Sequence, residues 1–159
     1  MKPCEFVAII NIAIKGNGII AREYIRGGEV ILSFFGKPIS RKNVKNPNAV
    51  LQLDEDVFLE SDGTADESLN HSCNPNCYID FKQLNLMAMK DIQKGQELTF
   101  DYNTSEYDLI DQGCSFTCFC GSEDCVGDIK GFKYLPLSHK KRIESFLSPF
   151  LKKKWKEEF

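Results

Sequence analysis

Three cysteines toward the end of this 159-residue chain, Cys118, Cys120 and Cys125, constrain its fold more than any other feature. Their C-x-C-x4-C spacing suits a single metal ion, and Gly121 lets the backbone turn back between them. Thiolates without redox chemistry favour zinc, and a structural zinc site is closed by four ligands. The fourth ligand must come from elsewhere, and the candidates are Cys4, Cys73, Cys77 and Cys114. The alternative is three unligated thiols, but so small a loop has no core, and metal would supply its folding energy.

The composition, with 42% hydrophobic and 27% charged residues, is typical of a soluble globular protein. The length of 159 residues predicts a single domain. The apolar run that follows the first residues is too short and wrongly flanked for a signal peptide. No run reaches the roughly 20 apolar residues of a membrane span. We therefore expect an intracellular protein, in the cytoplasm or the nucleus, with no membrane partner. Its seven cysteines should then be thiols or metal ligands rather than disulfides.

Charge is distributed unevenly along the chain. Residues 138–159 hold seven Lys or Arg and three Glu, whereas residues 46–81 hold eight acidic residues and no Lys or Arg. An acidic body argues against nucleic acid as the main partner and fits a basic polypeptide substrate. The simpler alternative is a solvated acidic face. The sequence leaves the oligomeric state open.

Short apolar, β-branched runs between turn residues predict a mainly β domain, of the β-rich α+β class. The expected strands are residues 6–14, 29–35, 78–81, 84–89 and 97–102, with a hairpin within residues 50–60. Lys15-Gly16-Asn17-Gly18 is expected to break the first strand. Gly27-Gly28 predicts a hairpin-type turn. Residues 103–113 are typical of a polar loop.

Helical spacing first appears in the C-terminal tail. Ser138 can N-cap a helix with an apolar face. That face consists of Ile143, Phe146 and Leu147. Ser148-Pro149 can begin a second helix, because proline is harmless in a first turn. Its residues facing the body would be Phe150, Leu151 and Trp155.

Two polar motifs lie in the middle of the chain. Asn70-His71-Ser72-Cys73-Asn74-Pro75-Asn76-Cys77 crowds amides, an imidazole and two thiols into eight residues. Pro75 between two asparagines indicates a sharp turn, and the simplest alternative is a polar turn that holds one buried cysteine. In Glu97-Leu98-Thr99-Phe100-Asp101-Tyr102, a strand would place Phe100 and Tyr102 on one face. That face could be core or the wall of a narrow channel.

The order of these motifs resembles the SET-domain protein lysine methyltransferases over about residues 5–132. The order is Gly16-Asn17-Gly18, then residues 70–77, then residues 97–102, then the three cysteines. The resemblance implies a fold of small curved sheets with a pseudoknot, in which the segment after Cys73 threads under another loop. It also implies a SET domain (residues 1–113), a post-SET zinc knuckle (114–132) and a C-terminal helical extension (133–159).

The resemblance further implies the roles of individual residues. The methyl donor S-adenosylmethionine would be held by Lys15, Gly16, Asn17, Gly18, Asn70, His71 and Tyr102. Cys73 would complete one structural zinc site with Cys118, Cys120 and Cys125. Tyr102 would be the active-site tyrosine, and Phe34 and Phe100 would be its catalytic neighbours in the lysine channel. A phenylalanine at position 100 leaves room for more highly methylated products.

The implied reaction is methyl transfer to the ε-amine of a lysine on a protein substrate, such as a histone. An aromatic channel and the nearby sulfonium charge would both lower the lysine pKa. The rest of the catalysis would come from holding the amine, the methyl group and the sulfur in line. Phe34 and Glu67 depart from the family pattern, which often has Tyr and Arg there. These departures motivate one alternative, a catalytically inactive binding module. A second alternative is a zinc-stabilised interaction protein that binds nucleic acid through the basic tail.

Overall fold

The structure is a computed structural model that describes residues 6–158, and short strands dominate it. The first six strands are β1 (Val7–Ile12), β2 (Gly16–Ala21), β3 (Val30–Ser33), β4 (Gly36–Ser40), β5 (Val50–Asp54) and β6 (Val57–Ser61). The other six are β7 (Asn70–His71), β8 (Cys77–Asp80), β9 (Asn85–Ala88), β10 (Thr99–Phe100), β11 (Phe116–Thr117) and β12 (Asp128–Ile129). Two helices follow, α1 (Leu137–Ile143) and α2 (Pro149–Glu158). The predicted mainly β class is confirmed.

The described strands form five small sheets, four of which contribute to one main core. β1 and β2 form an antiparallel hairpin, β4-β6-β5 and β3-β9-β8 form three-stranded sheets, and β7-β10 and β11-β12 form pairs. The core between them is aliphatic, and several of its side chains are completely buried, among them Ile19, Leu86, Ile92 and Leu98. The predicted hairpin at residues 50–60 and the predicted strands of β8 and β9 are confirmed. Among residues 6–158, no helix is long and apolar enough to cross a membrane.

Three local predictions differ from the structure. The first strand does end near the glycine motif, at Ile12, but the turn is at Ala13–Lys15 and Gly16-Asn17-Gly18 opens β2, with Gly16 opposite Ile12. The turn at Gly27-Gly28 joins strands that do not pair with each other, since β3 pairs with β9. The strand expected at residues 97–102 is reduced to β10. Its extension ends because the Asp101 carboxylate accepts a hydrogen bond from the N–H of Asn103 and caps a 3-10 turn, Tyr102–Thr104.

The C-terminal tail packs as a second core against the sheets. Ile143, Leu147, Phe150 and Leu151 are buried together with Phe132. Trp155 packs edge-on against Phe132, with 5.8 Å between the ring centroids. These contacts place the apolar residues of the tail toward the body, as the sequence pattern predicts.

The boundaries of the tail helices agree only in part with the sequence analysis. The predicted cap at Ser138 is wrong, because α1 already begins after Pro136, without a side-chain cap. α1 ends at Ile143, and a 3-10 turn follows. The start of α2 is confirmed, since the Ser148 hydroxyl accepts a hydrogen bond from the N–H of Leu151.

Candidate active site and metal cluster

The two central motifs lie side by side as the parallel pair β7-β10, with Asn70 opposite Thr99. The Ser72 N–H donates to the carbonyl of Phe100 (3.1 Å). The side chain of Asn76 then bridges to the second motif, because its amide donates to the carbonyl of Glu97 (2.8 Å) and accepts from the N–H of Thr99 (3.0 Å). This close passage of the two segments is consistent with the expected pseudoknot.

The glycine motif contacts the first of these motifs through Asn70. The Asn70 amide donates to the carbonyl of Asn17 (3.0 Å) and to one carboxylate oxygen of Glu97 (2.9 Å). Lys15 pairs with the other oxygen of Glu97 (2.9 Å). Gly18 permits this approach, because a Cβ there would lie 2.9 Å from the Asn70 amide nitrogen. Three of the residues expected to bind the donor, Lys15, Asn17 and Asn70, are thus within one hydrogen-bonded cluster, and Gly18 packs against it.

A cavity of about 410 Å³ lies between this cluster and the aromatic residues. Its wall includes the polar side chains of Lys15, Asn17 and Asn70, and also that of Glu67. It also includes the aromatic rings of Phe34, Phe100, Tyr102 and Phe116, among which Tyr102 contacts Phe100 and Phe116. Gly16, Gly18 and His71 do not line the cavity. The cavity therefore combines a group of polar residues with a group of aromatic ones, which we call its polar end and its aromatic end.

Tyr102 is fixed at the meeting point of the two ends. Its hydroxyl donates to the carbonyl of Leu69 (2.6 Å), and its ring lies 4.9 Å from that of Phe100, between centroids. Burial raises the pKa of Tyr102, and the nearby carboxylates of Glu106 and Glu97 raise it further. The phenol is therefore neutral at physiological pH. It can orient a ligand through its oxygen lone pairs, but it is not a phenolate base.

His71 connects the cavity wall to the cysteines. Its Nδ1 accepts a hydrogen bond from the N–H of Tyr102 (3.1 Å), which places the ring proton on Nε2. Nε2 lies 3.3 Å from Sγ of Cys73, so the imidazole donates to that sulfur. Burial lowers the pKa of His71 to about 4, against the opposing effect of Asp101, and the ring is neutral at pH 7. His71 therefore acts on the cavity through the backbone of Tyr102.

The sulfur atoms of Cys73, Cys118, Cys120 and Cys125 all lie within 4.8 Å of one another. Cys73 Sγ is 4.0 Å from that of Cys118 and 3.9 Å from that of Cys125. Four sulfurs about 2.3 Å from a tetrahedral zinc ion would be separated by roughly 3.8 Å, so the four residues fit zinc. Of the other candidates for the fourth ligand, Cys77 and Cys114 are outside this cluster. Cys4 lies outside the described residues.

The thiols of the cluster differ in how readily they ionise. Burial raises the pKa of Cys73 strongly and that of Cys118 to about 11. Burial opposes ionisation of Cys120 too, but hydrogen bonds from the backbone of Ser122 and Cys73 lower its pKa to about 6. A cation that replaces the thiol protons is therefore needed to ionise all four sulfurs at pH 7.

Four residues of the site are not identified by the sequence analysis. Glu97 links Lys15 to Asn70, and Phe116 places its ring 5.8 Å from that of Tyr102, between centroids. Asp101 and Glu106 are buried carboxylates on either side of the Tyr102–Thr104 turn. An aromatic residue between Cys114 and Cys118 is the sole sequence signal for Phe116. The buried acids carry no such signal, since residues 103–106 are as polar as an exposed loop yet are all buried.

Glu106 accepts hydrogen bonds from the N–H of Gln52, the hydroxyl of Ser105 and the amide of Gln112. Burial raises the pKa of Glu106. The buried Oε1 of Gln112 has no hydrogen-bond partner among the described residues. A glutamine at position 106 could donate to that oxygen once the Gln112 amide turned over. The pocket around Glu106 therefore suits a neutral side chain better than a carboxylate.

We expect Glu106→Gln to raise Tm by roughly 2–4 °C at pH 7.5, because it removes a buried charge at constant shape. The folded pKa is above the unfolded pKa, so the wild-type protein loses stability as pH rises between the two values. The gain should accordingly shrink toward pH 4, and calorimetry across this range measures it. Glu157→Gln, at an exposed position of α2, is the matched control. A lower Tm for Glu106→Gln at pH 7.5 would contradict the expectation.

Residues 16–103, more than half of the chain, match the SET domain family. Among curated proteins, the chain is similar to histone-lysine N-methyltransferases named H3 lysine-36 specific. The protein of Emericella nidulans is 31% identical over 144 residues, 79% of this chain and 14% of the relative. That of Debaryomyces hansenii is 29% identical over 139 residues, 76% of this chain and 18% of the relative. The chain thus spans less than a fifth of the length of these relatives.

Solved structures with the same fold include KRYPTONITE in complex with mCHG DNA and SAH. The match has a TM-score of 0.66 at 24% identity and covers 80% of this chain and 30% of that one. Arabidopsis thaliana SUVH6 in complex with SAM matches with a TM-score of 0.65 at 19% identity, over 77% of this chain and 32% of that one. Together with the match over residues 16–103 and the pairing of the two central motifs, these findings show that the chain belongs to the SET-domain family.

Proposed function

We propose that this protein transfers a methyl group from S-adenosylmethionine to the ε-amine of a protein lysine. The observation that carries the proposal is the single cavity in which a polar pocket meets an aromatic channel at Tyr102. The named activity of the curated relatives supports it. The solved structures of similar fold in complex with SAH and SAM support the choice of donor.

The polar end of the cavity suits the methyl donor. Lys15, Asn17 and Asn70 would contact it directly. Gly16, Gly18 and His71 would shape this end through their backbone. When bound, S-adenosylmethionine would supply an electrophilic methyl group on a positively charged sulfur. Glu67 at the same end would place a carboxylate near the amino group of the donor, where the family often has an arginine.

The aromatic end suits the substrate lysine. Phe34, Phe100 and Tyr102 would enclose its alkyl chain and exclude water, which favours the neutral amine. The hydroxyl hydrogen of Tyr102 is engaged by the carbonyl of Leu69, so the oxygen lone pairs remain for an N–H of the amine. Tyr102 would therefore aim the nitrogen rather than deprotonate it, and the rate would come from alignment and desolvation.

The four clustered cysteines would hold one zinc ion in a structural role. Four sulfur ligands close the coordination sphere and leave no position for water or substrate. The donated hydrogen bond from His71 to Cys73 links this site to the backbone of Tyr102. Zinc would thus fix the knuckle that carries Phe116 against the Tyr102 ring. The chain would accordingly consist of a SET domain (residues 1–113), a zinc knuckle (114–132) and a C-terminal extension (133–159).

A basic protein, with histone H3 as the leading candidate, is the proposed substrate. The cavity wall carries the carboxylates of Asp66 and Glu67, which suits a positively charged partner. The names of the relatives point to histone H3, and a histone substrate would make the protein nuclear. We propose that the protein makes no direct contact with nucleic acid. Lys140 and Lys154 of the basic tail already pair with Glu158 and Glu55.

A catalytically inactive SET-fold module is the second candidate, and the carboxylate of Glu67 at the donor end favours it. Incubation of the purified protein with labelled S-adenosylmethionine and core histones separates the two candidates. Label on a histone lysine, identified by mass spectrometry, would support the enzyme. Donor binding in calorimetry without transfer to any protein would support the inactive module. Absence of donor binding would refute both and favour a zinc-stabilised interaction protein.

A further inference from the structure

Arg142 of α1 joins the two segments that carry the clustered cysteines. One guanidinium nitrogen, Nη2, donates to the carbonyl of Cys73 (3.0 Å). The other, Nη1, pairs with the carboxylate of Asp124, the residue before Cys125 (2.7 Å). Cys73 and Cys125 are 52 positions apart in the sequence. A single side chain of the C-terminal extension therefore bridges the two segments that carry the clustered cysteines.

His139, one turn earlier in α1, orients this guanidinium. Nη2 of Arg142 lies 2.9 Å from Nδ1 of His139, and arginine has no acceptor, so Nδ1 accepts the hydrogen bond. The proton of His139 is then on Nε2, which donates to the carboxylate of Asp101 (2.8 Å). His139 and Asp101 are 5% and 2% exposed, so their hydrogen bond is shielded from water, whereas Arg142 lies at the surface. It runs from the residue before Tyr102, through α1, to the backbone of Cys73.

The charge of Arg142 suits its place beside the cysteines. A zinc ion with four thiolates carries net negative charge, and a guanidinium at its edge offsets part of that charge. The planar fork of arginine also holds two partners at fixed geometry, which the single ammonium of a lysine cannot do. The charge effect acts on the metal-bound form more than on the thiol form, whereas the fork holds the two segments together in both forms.

We propose that α1 is a clamp on the metal cluster, with Arg142 as a positioning residue that His139 and Asp101 hold in place. The four cysteines of the zinc site are then held in place by a helix outside residues 16–103, the part of the chain that matches the SET family. This inference rests on the proposed metal site but not on methyl transfer. Release of α1 from the cluster would loosen zinc and the knuckle together.

Competition for zinc between the protein and a chromophoric chelator tests the clamp. Arg142→Ala should bind zinc about tenfold more weakly, since it removes a charge-assisted hydrogen bond and an ion pair. Arg142→Lys should fall between wild type and Arg142→Ala. Lys141→Ala, at the exposed neighbouring position of the same helix, should bind zinc as the wild type does.

Two further measurements separate a clamp from a general loss of stability. Lys140→Met removes the ion pair with Glu158 and the contact with the Phe132 ring, so it weakens the tail without touching the cluster. It should lower Tm but leave zinc affinity unchanged. With Co²⁺ in place of zinc, Arg142→Ala should shift the d–d absorption bands, whereas Lys140→Met should not. Equal loss of zinc affinity in the two variants, or wild-type affinity in Arg142→Ala, would overturn the proposal, whether or not the protein transfers methyl groups.

Discussion

Replacing Tyr102 with phenylalanine is expected to lower the rate of methyl transfer about a hundredfold, the range for loss of one positioned catalytic hydroxyl. The substitution removes the oxygen that would aim the lysine nitrogen, and it leaves the carbonyl of Leu69 without the donor that now lies 2.6 Å away. The ring contacts with Phe100 and Phe116 do not involve the hydroxyl and should persist. The affinity for S-adenosylmethionine should therefore change by no more than about threefold.

Single-turnover transfer of label to histones, together with calorimetry of donor binding, measures these two quantities. Tyr107→Phe is the matched control, because Tyr107 packs on Phe150 in the tail core and does not line the cavity. It should transfer methyl groups at the wild-type rate. If Tyr102→Phe retained more than half of the wild-type rate, the proposed role of the hydroxyl would be wrong.

The sequence predicts best what is decided by neighbouring residues. The apolar runs at residues 50–60 and at β8 and β9 specify hairpins, because in each case two short apolar runs flank a short turn. In β8 and β9 alternate residues are buried, so one face of each strand is covered. The spacing of Cys118, Cys120 and Cys125 likewise determines which three sulfurs can meet. Family resemblance adds Cys73, which spacing alone leaves among four candidates.

Prediction from sequence fails where distant partners satisfy polar groups. Residues 103–106 are indistinguishable from a surface loop until Glu106 meets the N–H of Gln52, 54 positions away. His139 meets Asp101 across 38 positions, and neither residue signals its partner locally. Gly16-Asn17-Gly18 has the composition of a turn, but pairing with β1 makes it a strand. In the first two cases a buried hydrogen bond with a distant residue outweighs local propensity, and in the third the hairpin pairing of β1 with β2 does so.

Replacing Cys73 with serine should abolish stoichiometric zinc binding and weaken donor binding in the same protein. Three thiolates and a weakly acidic hydroxyl cannot close a zinc site, so we expect affinity for zinc to fall at least about a hundredfold. His71 also loses the sulfur 3.3 Å from its Nε2, and this ring accepts the hydrogen bond that positions the backbone of Tyr102. Metal analysis of protein never exposed to chelator, and calorimetry with S-adenosylmethionine, measure the two losses.

Cys77→Ser is the matched control for this prediction. Cys77 is 1% exposed, and Cys73 is 2% exposed, so both substitutions place a hydroxyl in a buried thiol position. Cys77 packs in the main core and lies outside the four-sulfur cluster, so its variant should lose stability but keep one zinc ion per chain. Equal loss of zinc in both variants would mean that zinc is lost because the fold is destabilised, and not because a ligand is removed. Full zinc content in Cys73→Ser would remove Cys73 from the site and with it the proposed link between metal and donor binding.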